Sequence, residues 1–282
     1  MDKKSKVILI TGASSGIGFE TARTLARQGH RVYAAARRTE LMEPLKADGV
    51  QVLQMDVTVE ESMVAGVDTV LRQEGRVDVL VNNAGYGYFG AVENVAMAEA
   101  RRQLEVNLFG MARLCQLVLP AMRSQHSGRI VNISSIAGKA TFYMGAWYNV
   151  TKYSVEALSD AMRMELKPFG IDVVLVEPGP IRTDWGIIAA RHLAESSAGT
   201  AYESQAANWA ASMDWSYRSK LFSGPQVVTD AICKAVNSRR PRTRYCRGRG
   251  AGLTLLLHAL LPTRCWDAVM RRMSKIHLGS KA

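Results

Sequence analysis

The fold is decided by a stretch near the start of the chain, VILITGASSGIG, which runs from Val7 to Gly18. Its first four residues form a continuous apolar run, typical of a strand buried on both faces of a parallel sheet. Three glycines then mark a turn, and apolar residues with helical spacing follow as far as Gly29. The stretch therefore predicts a buried strand, a glycine-rich turn and a helix in succession.

Strand and helix patterns keep alternating after this unit. A helix is predicted around Leu41 and Leu45, and further along the chain two long helices are predicted at about 98–122 and 146–166. Strict alternation favours βαβ units, and hence an α/β fold whose parallel sheet has helices on both faces. We predict one domain over residues 1–282, because no linker or repeat divides the pattern. Apolar runs predict the other strands, at 32–36, 50–55, 77–81, 129–133, 171–176 and 243–246.

Two segments depart from the alternation. Residues 180–224 have no core pattern and are rich in alanine, serine and aromatic residues, which favours a lid over a substrate site. Residues 239–282 form a basic C-terminal extension, predicted to contain two short helices that are broken at Pro262. We expect both segments to be additions to the same domain.

Composition narrows the class of protein. The 282 residues are 48% hydrophobic and 22% charged, which is ordinary for a globular protein. No signal-peptide core and no apolar window long enough to span a bilayer is present, so we expect a cytoplasmic protein. The four cysteines are scattered and the five histidines form no ligand cluster, so we predict reduced thiols and no metal site.

The net charge of +11 is concentrated in the C-terminal extension. Eleven basic residues from Arg239 onward face one acid, Asp267, which leaves +10 in this segment. Two interpretations stay open: a solvated or oligomer-facing edge, or peripheral contact with an anionic membrane through the apolar helical pieces. We expect no nucleic-acid binding, because few aromatic residues are interleaved with the arginines.

The glycine turn favours a dinucleotide site. Gly12, Gly16 and Gly18 would let the backbone approach a pyrophosphate, and the following helix offers free N–H groups. A tight strand–helix connection without a ligand is the alternative. At the end of the second strand, Arg37 and Arg38 stand where sites specific for NAD carry an acidic residue. Because a guanidinium binds a 2′-phosphate, we predict NADP(H) in preference to NAD(H), with two merely solvated arginines as the alternative.

Lys152 follows Tyr148 by four positions on a predicted helix, so the two side chains share one face. An ammonium beside a phenol lowers the pKa of the phenol and prepares it to exchange a proton with a carbonyl or alcohol. This pair occurs by chance in many helices. Ser135, thirteen residues before Tyr148, adds a hydroxyl that could bond the same oxygen.

Together these motifs resemble the short-chain dehydrogenase/reductase family over roughly residues 5–190. The resemblance implies a Rossmann-like domain with a seven-stranded parallel sheet. It also implies a catalytic set of Asn107, Ser135, Tyr148 and Lys152, in which Asn107 holds a helix kink. Ser15, where NADP-preferring members sometimes have a basic residue, and Asn149-Val150-Thr151 depart from the usual pattern. The implied cofactor-binding residues are Gly12, Ser14, Ser15, Gly16, Ile17, Gly18, Arg37, Arg38, Asp56, Val57, Asn83, Ala84, Gly85, Tyr148, Lys152, Pro178, Gly179, Ile181 and Thr183.

The substrate region is apolar and aromatic, which favours a lipophilic carbonyl or alcohol. The chain looks most like the branch that contains 17β-hydroxysteroid, retinol-type and acyl-dihydroxyacetone-phosphate reductases. Family members commonly pair through the two long helices, so a homodimer or homotetramer is expected. A dinucleotide-binding sensor or scaffold without turnover is the alternative function. The predicted substrate-binding residues are Phe89, Ser135, Tyr143, Trp147, Tyr148 and Trp185.

Overall fold

The computed structural model describes residues 5–274 and contains a parallel sheet of seven strands. The strand order is β3-β2-β1-β4-β5-β6-β7, which confirms the predicted α/β fold. The order reverses beside β1, and this reversal opens a crevice at the carboxyl ends of β1 and β4. The strands are β1 (Val7–Thr11), β2 (Arg31–Ala36), β3 (Gln51–Gln54), β4 (Val79–Asn82), β5 (Gly128–Ile133), β6 (Ile171–Pro178) and β7 (Arg244–Arg247).

The helices of the described chain cover both faces of this sheet and continue past its last strand. They are α1 (Gly16–Arg27), α2 (Glu60–Glu74), α3 (Met97–Leu104), α4 (Gly110–Ser124), α5 (Ala146–Leu166), α6 (Asp184–Ser197), α7 (Glu203–Arg218), α8 (Gln226–Asn237), α9 (Ala251–Leu260) and α10 (Thr263–Ser274).

Strand β1 is at the centre of the core. It is buried along its whole length and pairs with β2 on one side and β4 on the other. Side chains alternate across the strand, so Ile8 and Ile10 pack with α1 and α8, whereas Val7 and Leu9 pack with α2, α4 and α5. Each fully buried aliphatic side chain of this kind contributes about 1.5–3 kcal/mol. This double burial explains the continuous apolar run in the sequence.

Three predicted elements differ in detail. The helix expected around Leu41 and Leu45 is a 3₁₀ helix, Thr39–Asp48, because Pro44 inside it cannot donate a helical hydrogen bond. The long helix expected at 98–122 is α3 and α4 joined by a π-helical turn, Glu105–Phe109. The last strand lies one residue further on than expected.

The region from 180 to 224, which has no core pattern in the sequence, contains α6 and α7, which pack against each other. Their apolar contacts are made largely by alanines, whose small side chains leave a weak amphipathic pattern. The two C-terminal helices α9 and α10 are present and separated at Pro262, as predicted. Within residues 5–274, no helix has both the length and the apolar character needed to cross a bilayer.

Candidate active site

A cavity of about 1240 Å³ lies at the carboxyl ends of the central strands. Its lining comes from the glycine turn, the segments after β2 to β6, the helices α6 and α7, and the C-terminal helices α9 and α10. Such a position, beside the point where strand order reverses, is where parallel α/β sheets bind ligands. The cavity is polar at the glycine turn and aromatic at the other end.

The glycine turn is held rigidly against β4. Gly12 has a φ of +65°, and a Cβ there would lie 2.7 Å from Cα of Ala84. The Asn83 side chain donates to the carbonyl oxygens of Thr11 and Gly12 at 3.1 Å each, and Oγ1 of Thr11 accepts from the backbone N–H groups of Asn83 and Ala84. Only glycine fits this approach, and the backbone of the turn is left open to the cavity.

The start of α1 completes a cradle for an anion. Ser15 caps the helix without a side-chain hydrogen bond, so the first N–H groups of α1 have no side-chain acceptor. Residues 14–17 line the cavity. A pyrophosphate fits this arrangement, because free N–H groups and the positive end of the helix dipole both favour negative charge.

Positive charge surrounds the place where β2 ends. Arg37 and Arg38 are exposed and line the cavity, and Arg102 reaches the same wall from α3. Burial favours a higher pKa for the Asp56 carboxyl, but hydrogen bonds from Thr58 and the charges of Arg37 and Arg102 outweigh it and lower the pKa. Asp56 is therefore an ionised partner for these arginines. A further phosphate beside Arg37 fits the charge of this wall.

Tyr148 and Lys152 lie on α5, where the cavity changes from polar to aromatic. The Lys152 ammonium is 5.8 Å from the centre of the Tyr148 ring and donates to the carbonyl oxygen of Ile133 at 2.8 Å. Burial lowers the pKa of Lys152 to about 8, opposed by the charge of Glu156. Burial also raises the pKa of Tyr148 to about 12, opposed by a hydrogen bond with Ser135. The expected lowering of the Tyr148 pKa is therefore not observed, because burial outweighs the hydrogen bond with Ser135.

Ser135 follows β5 and caps a short 3₁₀ turn, Ile136–Gly138. Its Oγ accepts from the N–H of Ala137 at 3.1 Å and donates to the carbonyl oxygen of Pro178 at 3.3 Å. The second bond is long and involves the cavity-lining end of β6. The Ser135 hydroxyl can therefore exchange this partner for a substrate oxygen at little cost.

The segment between Tyr148 and Lys152 stabilises the site. The Asn149 side chain donates to the carbonyl oxygens of Ala137 and Ala140 at 2.8 and 2.9 Å, which ties the start of α5 to the turn that follows Ser135. Oγ1 of Thr151 accepts from Nδ2 of Asn107 at 3.2 Å. These two departures from the usual family pattern thus connect α5 to its neighbours.

Asn107 is the buried centre of the π-helical turn. Its Oδ1 accepts from the N–H of Tyr86 at 3.0 Å, and its Nδ2 donates to the carbonyl oxygen of Tyr86 at 2.8 Å. A Cβ at Gly85 would lie 3.1 Å from the same Oδ1. Asn107 therefore fixes the loop after β4 against α5. It lies behind the cavity wall and acts by positioning.

The aromatic end of the cavity is formed around the Tyr148 ring. The centre of this ring is 5.0 Å from that of Trp185 and 5.7 Å from that of Phe89. Trp185 in turn lies 6.4 Å from Tyr217. The hydroxyl that could exchange a proton thus borders a surface suited to an apolar ligand.

Comparison with known proteins identifies the family. Residues 6–191 match the family model of the short chain dehydrogenases. The chain belongs to the short-chain dehydrogenase/reductase family. It is therefore an oxidoreductase of a family that binds a nicotinamide dinucleotide and acts on CH–OH or carbonyl groups.

Relatives in this family span almost the whole chain. The 3-ketodihydrosphingosine reductase of Bacteroides thetaiotaomicron is 37% identical over 85% of this chain and 86% of its own. Retinol dehydrogenase 16 of Rattus norvegicus is 36% identical over 94% of this chain and 88% of its own.

Two solved structures of the family are also similar to this one. A short-chain dehydrogenase from Streptomyces avermitilis has a TM-score of 0.79 and 34% identity, covering 97% of this chain and 96% of its own. A variant of actinorhodin polyketide ketoreductase with NADPH has a TM-score of 0.74 and 31% identity, covering 89% of this chain and 98% of its own.

Most residues predicted for this dehydrogenase/reductase site lie together. Gly18 supports the turn from behind, where its Cβ would lie 2.5 Å from the carbonyl oxygen of Gly12. Trp147 is not brought to the cavity, because it is 100° around α5 from Tyr148 and only one of the two can face inward. The predicted residues that line the cavity are Gly12, Ser14, Ser15, Gly16, Ile17, Arg37, Arg38, Asp56, Val57, Asn83, Ala84, Gly85, Phe89, Ser135, Tyr143, Tyr148, Lys152, Pro178, Gly179, Ile181, Thr183 and Trp185.

Several lining residues were not predicted from the sequence. Arg102 adds charge at the polar end, and His192 stacks on Tyr88 with ring centres 4.8 Å apart. Others are apolar residues of α7, α9 and α10, which are far from the motifs in sequence, and nothing in their local pattern distinguished them from ordinary packing. They include Trp209, Met213, Tyr217, Leu257, Trp266 and Met270.

Proposed function

We propose that this protein is an NADP(H)-dependent oxidoreductase that interconverts a carbonyl and an alcohol on a lipophilic substrate. One observation carries the proposal: the Tyr148 hydroxyl lies between an anion cradle and an aromatic pocket, with Ser135 and Lys152 beside it. A sensor without turnover has no chemical need for this set, and the family assignment favours an enzyme.

A nicotinamide bound at this site would supply or accept the hydride. In reduction, hydride reaches the carbonyl carbon and the Tyr148 hydroxyl donates its proton to the carbonyl oxygen, which yields the alcohol. The Ser135 hydroxyl donates a hydrogen bond to the same oxygen and stabilises its developing charge. The Lys152 ammonium stabilises the Tyr148 phenolate that remains. Asn107 holds the loop after β4 against α5 through its hydrogen bonds to Tyr86 and Thr151.

The preference for NADP(H) rests on the charge at the end of β2. Arg37 and Arg38 line the cavity where a carboxylate would repel a 2′-phosphate, and Arg102 adds to the same field. A related ketoreductase has been solved with NADPH. This part of the proposal is tested by fluorescence titration with NADPH and NADH.

We expect the unmodified protein to bind NADPH more tightly, and Arg37→Asp to lose about tenfold or more of that affinity while it keeps NADH. Arg72→Asp, at an exposed arginine of α2 that does not line the cavity, is the matched control and should behave as the unmodified protein. Tighter binding of NADH by the unmodified protein would overturn the preference.

The lipophilic substrate class rests on the aromatic end of the cavity. Phe89 and Trp185 lie against the Tyr148 ring, and Tyr217 lies against Trp185. Relatives include a retinol dehydrogenase and a 3-ketodihydrosphingosine reductase. A panel of retinal, steroid ketones, fatty aldehydes, quinones, 3-oxoacyl thioesters and long-chain 3-keto amines tests it. Turnover only of small polar carbonyls would contradict this class.

Tyr148→Phe tests the proton donor in the same assay. We expect turnover to fall by about 10²–10⁴ with little change in NADPH affinity. Tyr153→Phe changes an exposed tyrosine of the same helix and should keep nearly full activity. Full activity of Tyr148→Phe would show that the mechanism is wrong.

We also propose that copies of the chain pair through α4 and α5. An apolar stripe on α5 is exposed and consists of Val150, Tyr153 and Met164, whose exposed fractions are 44%, 40% and 70%. Covering such a stripe removes apolar area from water. Light scattering should show an oligomer that Val150→Glu/Met164→Glu converts to a monomer; a monomeric unmodified protein would contradict the pairing.

A further inference from the structure

The helix α9 has an uncovered apolar face. Leu253, Leu256, Leu257 and Leu260 recur at spacings of three and four residues, so they lie on one side of the helix. Their exposed fractions are 60%, 55%, 42% and 71%, although leucine usually occupies the core. Nothing else in residues 5–274 covers this face.

The helix α10 is amphipathic, and its apolar face lies toward the cavity. Trp266, Val269, Met270 and Met273 share the face that lines the cavity. Trp266 anchors the helix, because it is buried, donates to the carbonyl oxygen of Thr141 at 3.1 Å and packs edge-on against His258 of α9. By helical spacing, Arg264 and Arg272 lie on the other face, where they are exposed.

The cavity reaches the surface among the apolar residues of these two helices. Leu257, Val269 and Met273 line the cavity and are also 42%, 39% and 43% exposed. Leu257 belongs to the leucine face of α9. An apolar molecule held against that face could therefore pass to the aromatic pocket along apolar side chains.

The charge beside this opening is predominantly positive. Arg249, Arg264 and Arg272 are exposed on the segment that carries α9 and α10, where Asp267 is the single acid of residues 248–274. Arg239, Arg240 and Arg242 precede β7 and so lie at the opposite edge of the sheet, away from the opening. Only part of the basic C-terminal extension thus accompanies the leucine face.

The exposed leucines of α9 and the arginines beside them together indicate what this surface binds. A symmetric contact between two copies would bring the same arginines together, which is unfavourable. An anionic bilayer accepts leucines into its acyl region and arginines at its headgroups. We propose that α9 and α10 form a docking surface for an anionic membrane, and that a lipophilic substrate enters between Leu257, Val269 and Met273. The entry route rests on the proposed function, whereas the docking does not.

Flotation of the full-length protein with NADPH tests the docking. Vesicles are made of phosphatidylcholine alone, or with a quarter of it replaced by phosphatidylglycerol. We expect flotation with the anionic vesicles at low salt and at least a tenfold lower bound fraction for Leu256→Asp/Leu260→Asp. Leu41→Asp/Val92→Asp places two aspartates at exposed apolar positions elsewhere and should float as the unmodified protein does. Retained NADPH affinity shows that each variant is folded.

A second pair of variants tests the charge. Arg264→Glu/Arg272→Glu should lose flotation on anionic vesicles by about tenfold or more, and high salt should have the same effect on the unmodified protein.

Failure of the unmodified protein to float with anionic vesicles at low salt would overturn the docking, as would equal flotation of both aspartate pairs. If light scattering shows that Leu256→Asp/Leu260→Asp dissociates an oligomer while the unmodified protein does not float, the face binds a second copy. Flotation without turnover of any lipophilic carbonyl would refute the proposed function alone.

Discussion

Arg244 Nε lies 3.0 Å from Oε1 of Glu177, across the pair of strands β6 and β7. Glu177 is buried, and the same guanidinium reaches Glu156 at 3.2 Å and Asp160 at 2.6 Å on α5. In sequence Arg244 is one of a run of arginines. In the fold it contacts three acids of α5 and β6. Lys139, which follows the 3₁₀ turn capped by Ser135, also contacts Glu156, at 3.3 Å.

Replacing Arg244 should destabilise the protein. Arg244→Met leaves the buried carboxylates without their guanidinium, and breaking such an ion pair from one side costs about 3 kcal/mol. Arg240→Met, at an exposed position in the same run, should change the free energy of unfolding by less than about 0.5 kcal/mol. Urea unfolding of both variants measures this, and equal midpoints would contradict the role of Arg244.

Glu177 should make stability depend on pH. Burial, and then the neighbouring charge of Glu156, raise the pKa of Glu177 from 4.5 to about 7. The folded state therefore holds a proton that the unfolded state has released between these values. The contribution of this group to stability is full below pH 4.5 and is lost as the pH rises through about 7.

Glu177→Gln should remove that dependence, because a glutamine carries no titrating proton. The difference in unfolding free energy between Glu177→Gln and the unmodified protein should shift in favour of the variant as the pH rises from 4.5 to 7. Unfolding in urea at several pH values tests the slope. A difference that stays constant over this range would show that Glu177 does not titrate there.

Gly186 of α6 should not tolerate even a methyl group. A Cβ at Gly186 would overlap the ring of Tyr217, which lines the cavity from α7. Gly186→Ala should therefore cost about 1–3 kcal/mol of stability and raise KM for a carbonyl substrate, with little change in NADPH affinity. Gly66→Ala meets only the flexible end of Met55 and gains helix propensity, so its stability should be equal or higher. Identical substrate kinetics in Gly186→Ala and the unmodified protein would show that Tyr217 does not contribute to substrate binding.

The rate of reduction should decrease with rising pH because of Lys152. Its pKa is lowered to about 8 by burial, so the ammonium that stabilises the phenolate is lost above that pH. The pKa of Tyr148, raised to about 12 by burial, keeps the proton donor loaded over the same range. We expect kcat/KM for NADPH to be constant below pH 8 and to decline above it.

Glu156→Gln offers a test of the cause of this decline. The charge of Glu156 raises the pKa of Lys152 against the effect of burial, so its removal should move the decline to lower pH. Arg163→Gln, at a partly exposed residue further along α5, should leave the profile in place. A decline that does not move in Glu156→Gln would exclude this interaction as a determinant of the profile.

Much of the fold could be predicted from the sequence because its signals are local. A strand buried on both faces needs an unbroken apolar run, as at Val7–Thr11, and a glycine turn must follow where the backbone approaches a ligand. Tyr148 and Lys152 share a face because a step of four residues is slightly more than one helical turn. The sequence alone thus determined the parallel α/β architecture and a strong hypothesis for the reacting residues.

Only the tertiary structure decided what each side chain contacts. It pairs Arg244 with acids that lie 67 to 88 residues away, and it excludes Trp147 from a cavity that Trp185 lines. It adds α9 and α10 to the cavity wall and leaves the α9 leucines uncovered. It also raises the pKa of Tyr148, where the isolated pair with Lys152 predicts a decrease. Burial and charge at one residue depend on elements distant in the chain, and no local pattern records them.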